Sequence, residues 1–219
     1  MFDLTLSFDN GPEPGVTPGV LDALGARGIK ASFFVIGEKL RADRATVERT
    51  HAEGHWIANH TWTHRVPLGD RQQDSGIESE ILPTQQELGD LADERKFFRP
   101  FANGIIGPRL LNRQSAIYLR DQNYSCVLWN LVGGEWNDPE DWVERVAGEC
   151  LGHAWTLLVL HDLPTGAMKH LPRFLDRVAE LGARFRQDFP SDCVPIRDGK
   201  VTGTLAPYVA GSWDDPVAA

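Results

Sequence analysis

The chain has 219 residues, 42% hydrophobic and 24% charged, a balance that excludes a disordered or coiled-coil protein and supplies enough apolar surface for one compact domain spanning 1–219. Its 22 Lys and Arg stand against 31 Asp and Glu, giving a net charge of −9. That acidity argues against nucleic acid, an anionic membrane or a polyanionic substrate, and favours a neutral or cationic small-molecule partner.

Strand-like and helix-like stretches alternate from the start, the pattern of parallel βα units. Phe2, Leu4, Leu6 and Phe8 alternate with polar residues as a strand. Thr17-Pro18 then opens a helix, the hydroxyl as a cap and proline where its missing N–H is harmless, and Gly28 closes it. Residues 31–36 read as a buried strand, 38–53 as a helix ended by Gly54, and 56–58 as a short third strand. A helix over 75–91 holds Pro83, so a kink or break is expected there. Strands are expected at 97–98, 126–129, 157–160 and 193–196, with helices over 115–120, 140–148 and 171–183. About seven βα units without a linker or repeat point to a closed or nearly closed parallel barrel. Asp9, His60, Arg99, Asn130 and His161 each follow a strand, at the end where parallel barrels build their sites.

Cys126, Cys150 and Cys193 lie far apart with no CxxC pair, which lends no support to a cysteine-built metal site, suits a reducing compartment and marks them as small buried residues. The opening Met1-Phe2-Asp3-Leu4-Thr5-Leu6 has no basic or apolar leader region, and no apolar run is long enough to span a bilayer. A cytoplasmic location is therefore expected.

Three segments carry chemistry. In Ser7-Phe8-Asp9-Asn10-Gly11-Pro12 an acid and an amide end a strand before a sharp turn, placed for two adjacent jobs or simply for capping backbone N–H groups. His60-Thr61-Trp62-Thr63-His64 sets two imidazoles four residues apart after a strand, either a surface pair or two metal ligands, with Asn10 as a third donor. Two His and one oxygen with open positions describe a catalytic metal site. Leu158-Val159-Leu160-His161-Asp162 ends a strand with a proton donor, followed by an acid that orients it or merely caps a helix. Arg99-Pro100-Phe101 offers a cation to Asp9 or Glu135, for catalysis or as a structural ion pair. Trp129, Trp136 and Trp142 read as packing, and His51, His55, His153 and His170 receive no role.

The order of these motifs resembles the polysaccharide deacetylase family of amide hydrolases. Its TFDDGP is matched by SFDNGP at 7–12, and its H(S/T)xxH by residues 60–64, preceded by the typical GHxIxN pattern at 54–59. The Arg-Pro turn is matched at Arg99-Pro100-Phe101, and Leu-x-His by Leu158 to His161, so the likeness spans roughly 3–165. It implies an α/β fold, a distorted (β/α)7 barrel. It also implies Asp9 as general base, His161 as general acid, Arg99 as the cation beside the base, and Asn10, His60 and His64 as ligands of a divalent ion, usually zinc. Three departures stand out. Asn10 replaces an anionic ligand and weakens the ion's hold, Val132 and Glu135 stand where the family has two aspartates, and Phe101-Ala102-Asn103-Gly104 replaces Pro-Tyr-Gly.

Three functions follow. The first is a metal-assisted N-deacetylase of a small amide or oligosaccharide, the missing leader disfavouring a cell-wall polymer. The second is a cyclic amide or imide hydrolase of the same fold that works without a tightly held metal, motivated by Asn10. The third is a carbohydrate-binding protein that has lost catalysis, motivated by the displaced acids.

Overall fold

The computed structural model describes residues 1–71 and 74–213. In chain order it forms β1 (Phe2–Asp9), α1 (Thr17–Gly25), β2 (Ser32–Val35), α2 (Gly37–Ala42), α3 (Arg44–Ala52), β3 (Trp56–Asn59), α4 (Leu82–Leu88) and β4 (Phe97–Phe98). There follow α5 (Arg113–Asp121), β5 (Ser125–Cys126), β6 (Leu131–Val132), α6 (Trp142–Glu149), β7 (Trp155–His161), α7 (Leu171–Glu180), β8 (Ala183–Arg186), β9 (Ile196–Arg197) and β10 (Lys200–Val201). No helix among the described residues is long and apolar enough to cross a membrane.

The sheet runs β10-β9-β5-β4-β3-β2-β1-β7-β6. The stretch from β5 to β6 is parallel throughout, while β9 and β10 add antiparallel pairs at one edge. β8 pairs with Phe2–Thr5 of β1, and β2 takes over the same edge of β1 from Ser7 to Asp9. The two outer strands of the parallel run are joined by one crossing of chain. Val127 N–H still bonds to Phe98 of β4 at 2.8 Å, whereas the Asn130 side chain bonds to β7, donating to Trp155 O at 2.9 Å and accepting from Leu157 N–H at 2.8 Å. The expected distorted (β/α)7 barrel thus forms, curled and closed by this crossing instead of by a continuous ladder. Asn130, expected at the rim, is its tie.

The alternation in β1 sorts its residues, and both faces are buried. Leu4, Leu6 and Phe8 enter a core with Val20, Leu21 and Leu24 of α1, Trp142 and Val146 of α6, and Phe174, Leu175 and Val178 of α7. Each such side chain contributes about 1.5–3 kcal/mol on burial. Thr5, Ser7 and Asp9 between them lie inside the barrel, also buried. Thr5 Oγ1 donates to Asp188 O at 2.7 Å and Ser7 Oγ to Leu158 O at 3.0 Å, so two of these polar groups are satisfied by main chain. The alternation that reads as a half-exposed strand here separates an apolar core from a polar interior.

Several element boundaries differ from the sequence reading. The single helix expected over 38–53 is two, because Asp43 leaves helical geometry at φ −138° and its side chain accepts from Thr46 N–H to cap α3. The break expected at Pro83 is real: a π-helical turn, Ile77–Ile81, precedes α4, which takes Pro83 into its first turn where no N–H is needed. Thr17 does not cap α1 but is its first residue, its hydroxyl donating to Asp162 and accepting from Glu13 N–H at 2.7 Å. The helix expected over 171–183 ends at Glu180, where Gly182 at φ +87° turns the chain into β8. The strand expected at 193–196 begins only at Ile196 and runs antiparallel to β5, since residues 191–193 form a 3-10 turn. The three cysteines are buried and unpaired, as expected.

Candidate active site

Asp9 and His161 end β1 and β7 and are register partners, so the two side chains emerge side by side at the C-terminal edge of the sheet. They line a cavity of about 320 Å³ with Asn10, His60 and His64, while Phe101, Trp129, Val132, Trp136, Val159 and Leu163 supply its apolar wall. Of the residues expected at the site, all but Arg99 border this space. Arg99 lies wholly beneath it, with no exposure.

Arg99 is held by main chain and in turn holds the acid. Its Nε donates to Val127 O and its Nη2 to Leu128 O, both at 3.1 Å, and the guanidinium lies 3.8 Å from the Phe34 ring centroid. Nη1 donates to Ser7 Oγ at 2.9 Å and Asp9 Oδ1 at 2.6 Å. Of the two partners expected for Arg99, the structure selects Asp9. With Oδ1 so engaged, Asp9 Oδ2 is left toward His60, 3.5 Å from Nε2.

His60 Nδ1 lies 2.8 Å from Arg99 O, and since a carbonyl only accepts, Nδ1 carries the proton and Nε2 keeps a lone pair. The second imidazole, His64, is 4.7 Å from the first between ring centroids and 3.8 Å from the Phe101 ring. Burial holds His60 below the usual histidine range, and burial together with the neighbouring imidazoles His60 and His161 pushes His64 down to about 2. Both are therefore neutral, the state in which imidazole binds a cation. Thr61 and His64 sit at φ +68° and +55°, in the left-handed region. Such positions cost roughly 1–3 kcal/mol each and persist only where surrounding contacts impose them.

Asn10 Oδ1 is buried without a hydrogen-bond partner. An orphaned carbonyl oxygen costs roughly 1–3 kcal/mol, and beside two neutral imidazoles it is a fitting donor for a divalent ion. Among the described residues no cluster of three or more His, Cys, Asp or Glu side chains forms a metal site. The donor set that fits is two imidazoles and an amide oxygen.

His161 is oriented by an acid that the sequence reading did not assign to it. Glu135 Oε1 accepts from the His161 backbone N–H at 2.7 Å and lies 3.0 Å from Nδ1, which fixes the proton on Nδ1 and leaves Nε2 as the other ring nitrogen. Burial opposes charge on this ring, but the Glu135 carboxylate, with Asp9 and Asp162 beyond it, holds its pKa above the usual 6.5. The readable signal was Gly133-Gly134 ahead of the acid. A Cβ at Gly133 would come within 2.7 Å of Glu135 Oε2 and of Leu160 Cδ2, so the close approach needs glycine.

Asp162, expected to orient His161, instead accepts the Thr17 hydroxyl and lies under Gly11, whose added Cβ would come within 2.3 Å of Asp162 Oδ2. Trp142 is core, as expected, with its Nε1 donating to Ala167 O at 3.1 Å. Trp129 and Trp136 also border the cavity, and Trp136 meets His161 edge-on at 4.5 Å, so packing alone does not describe them.

Residues 3–117 match the family model for polysaccharide deacetylase. The chain belongs to the polysaccharide deacetylase family. Among relatives in this family, a peptidoglycan-N-acetylglucosamine deacetylase of Bacillus cereus is 28% identical over 190 residues, covering 84% of this chain and 66% of that protein. A chitooligosaccharide deacetylase of Bradyrhizobium is 30% identical over 164 residues, 72% of this chain and 69% of that one. The chain thus spans just under two thirds of the Bacillus relative, and it spans 37% of the Listeria monocytogenes deacetylase PgdA. The crystal structure of the Bc1960 peptidoglycan N-acetylglucosamine deacetylase superposes with a TM-score of 0.71 at 27% identity, covering 84% of this chain and 85% of that one. Asn10 and Glu135 are two of the departures from the motif pattern noted in the sequence, and Glu135 lies against His161.

Proposed function

We propose that this chain hydrolyses carbon–nitrogen amide bonds, removing the acetyl group from a sugar nitrogen in an oligosaccharide, with a divalent ion, zinc by donor chemistry, held at Asn10, His60 and His64. The observation that carries it is the register pairing of Asp9 and His161 over one cavity, an acid freed on one oxygen beside an imidazole whose Nδ1 is held by its own carboxylate. A bound dication would polarise the acetyl carbonyl and the attacking water. Asp9 Oδ2 takes the proton of that water as its oxygen bonds to the acetyl carbon. His161 delivers its proton to the amide nitrogen as the C–N bond breaks, so acetate and a free amine leave. An amine leaves readily only when protonated, which is the use of a histidine whose pKa is raised.

The cavity volume, about 320 Å³, sits at the small end of ligand sites and suits the N-acetyl end of one sugar unit. The names of the Bradyrhizobium and Bacillus relatives support an N-acetylated sugar as the class. The neutral donor at Asn10 favours a second reading, a cyclic amide hydrolase that opens rings without a tightly held ion.

Acetate release from N-acetylated chitooligosaccharides, measured on protein stripped by chelation and on the same protein resupplied with zinc, tests the proposal. Release that needs added zinc is expected. No release under either condition, with hydrolysis of cyclic amides undiminished by chelation, would overturn it in favour of the second reading.

A further inference from the structure

The turn that carries both imidazoles is held by an acid from a distant part of the chain. Glu80 is buried, 2% exposed, in the π-helical turn Ile77–Ile81, an irregularity that aims its side chain inward. Its Oε2 accepts from the backbone N–H of Trp62 at 2.9 Å and of Thr63 at 2.8 Å. Its Oε1 accepts from Thr63 Oγ1 at 2.7 Å and from Arg71 Nη2 at 2.5 Å. The two amides lie between Thr61 and His64, the residues of this turn at positive φ. For a β-branched residue such as Thr61 that conformation is an outlier, so something outside the turn must impose it. Asn59 Oδ1 contributes one tie, accepting from Thr61 N–H at 3.0 Å. Glu80 gathers four donors on a single carboxylate, which no neutral side chain matches.

We infer that Glu80 is a positioning residue: through its bonds to Trp62, Thr63 and Arg71 it holds the His60–His64 turn in the shape that points both imidazoles into the cavity. The inference rests on the reading that these imidazoles hold the ion, and it adds a residue that touches neither ion nor substrate. Partners of this kind, one bond removed from a ligand, set its orientation and affinity.

The test uses the full chain with zinc alone as the probe. In Glu80→Ala the amides of Trp62 and Thr63 are expected to lose about tenfold or more of their hydrogen-exchange protection while those of β3 keep theirs. Zinc affinity is expected to fall roughly 10–100-fold. Glu80→Gln keeps the shape and one accepting oxygen, and it is expected to lie between wild type and Glu80→Ala; it serves alone if the alanine variant does not fold. Unchanged zinc affinity in the Glu80 variants, with affinity abolished in His60→Ala and His64→Ala, would overturn the proposal and leave the metal reading standing. Zinc affinity indifferent to the histidine variants would overturn that reading, and the proposal with it. A merely structural Glu80 would lower the melting temperature and leave zinc affinity per folded molecule unchanged.

Discussion

Asp9 and His161 are register partners on the adjacent parallel strands β1 and β7, each the last residue of its strand. Parallel register puts their side chains on one face of the sheet, at the edge where helices no longer cover it. The proposed base and acid, delivered this way, need no loop to bring them together. Beneath and beside them, two pairs divide the work: Arg99 holds Asp9, and Glu135 holds His161.

The Asp9–Arg99 pair is buried on both sides, so removing one partner strands the other. Arg99→Met is expected to destabilise the fold by roughly 3–5 kcal/mol, lowering the melting temperature by about 10 °C in a chain of this size. Calorimetry checks it. A melting temperature unchanged at neutral pH would show that the pair contributes nothing to the folded state.

The Glu135–His161 pair sets the pH dependence of activity. In the proposed mechanism His161 works protonated, and its raised pKa extends that form to higher pH, the effect of Glu135 outweighing burial. Glu135→Gln removes the negative charge, so the basic limb of the kcat/KM profile is expected to move to lower pH. The rate at mildly alkaline pH should fall by roughly 100-fold or more. A profile whose basic limb does not move would exclude Glu135 as the group that tunes His161. The stability contributed by this histidine is full below pH 6.5 and is lost as pH rises through its higher folded value.

How much of this was legible before the fold? Asp9, His60, His64 and His161 were, because a residue just past a strand in a βα chain has a known destination. Glu135 and Asp162 were given other partners, and Glu80 was given no role. Each acts through a contact made by a turn, and turn geometry depends on close approaches such as that of Gly133 to Glu135 and Gly11 to Asp162. Asn130 misled for a related reason. It follows β5, but its side chain mimics backbone to bind β7, a role that only the barrel crossing reveals. The split of residues 38–53 into α2 and α3 was legible in principle, since an aspartate at 43 three residues before Thr46 is a cap signal inside a helical stretch.

Asn10→Asp is expected to tighten zinc by roughly tenfold or more, because an anion replaces a neutral oxygen at the ion. Residue 10 sits at φ +74°, which Asp accepts nearly as well as Asn, so the change adds little strain. Without zinc the new carboxylate is a second buried acid beside Asp9, and the stripped variant should melt lower than stripped wild type. Zinc should then raise its melting temperature more than it raises that of wild type. Equal zinc affinities would remove Asn10 from the ligand set.

Asp162 gives the fold an unusual pH slope. Burial pushes its carboxyl up to about 7, against the hydrogen bond from Thr17, and Oδ1 has no partner. Between its unfolded value of 3.8 and about 7 the native state binds the extra proton, so stability falls as pH rises through that window. The span is worth roughly 4 kcal/mol. Asp162→Asn cannot ionise, and its urea midpoint is expected to fall less than that of wild type between pH 5 and 8. Identical slopes would show that Asp162 is ionised in the native state throughout.

The central claim is that Asp9 and His161 act as base and acid in amide hydrolysis over one cavity. Initial rates of acetate release from N-acetylated chitooligosaccharides, with zinc supplied, compare wild type with Asp9→Asn and His161→Ala most directly. Measurable release by wild type is expected, lower by roughly 100-fold or more in each variant. Release that survives both substitutions within a factor of about two, once folding has been checked by melting temperature, would contradict the account.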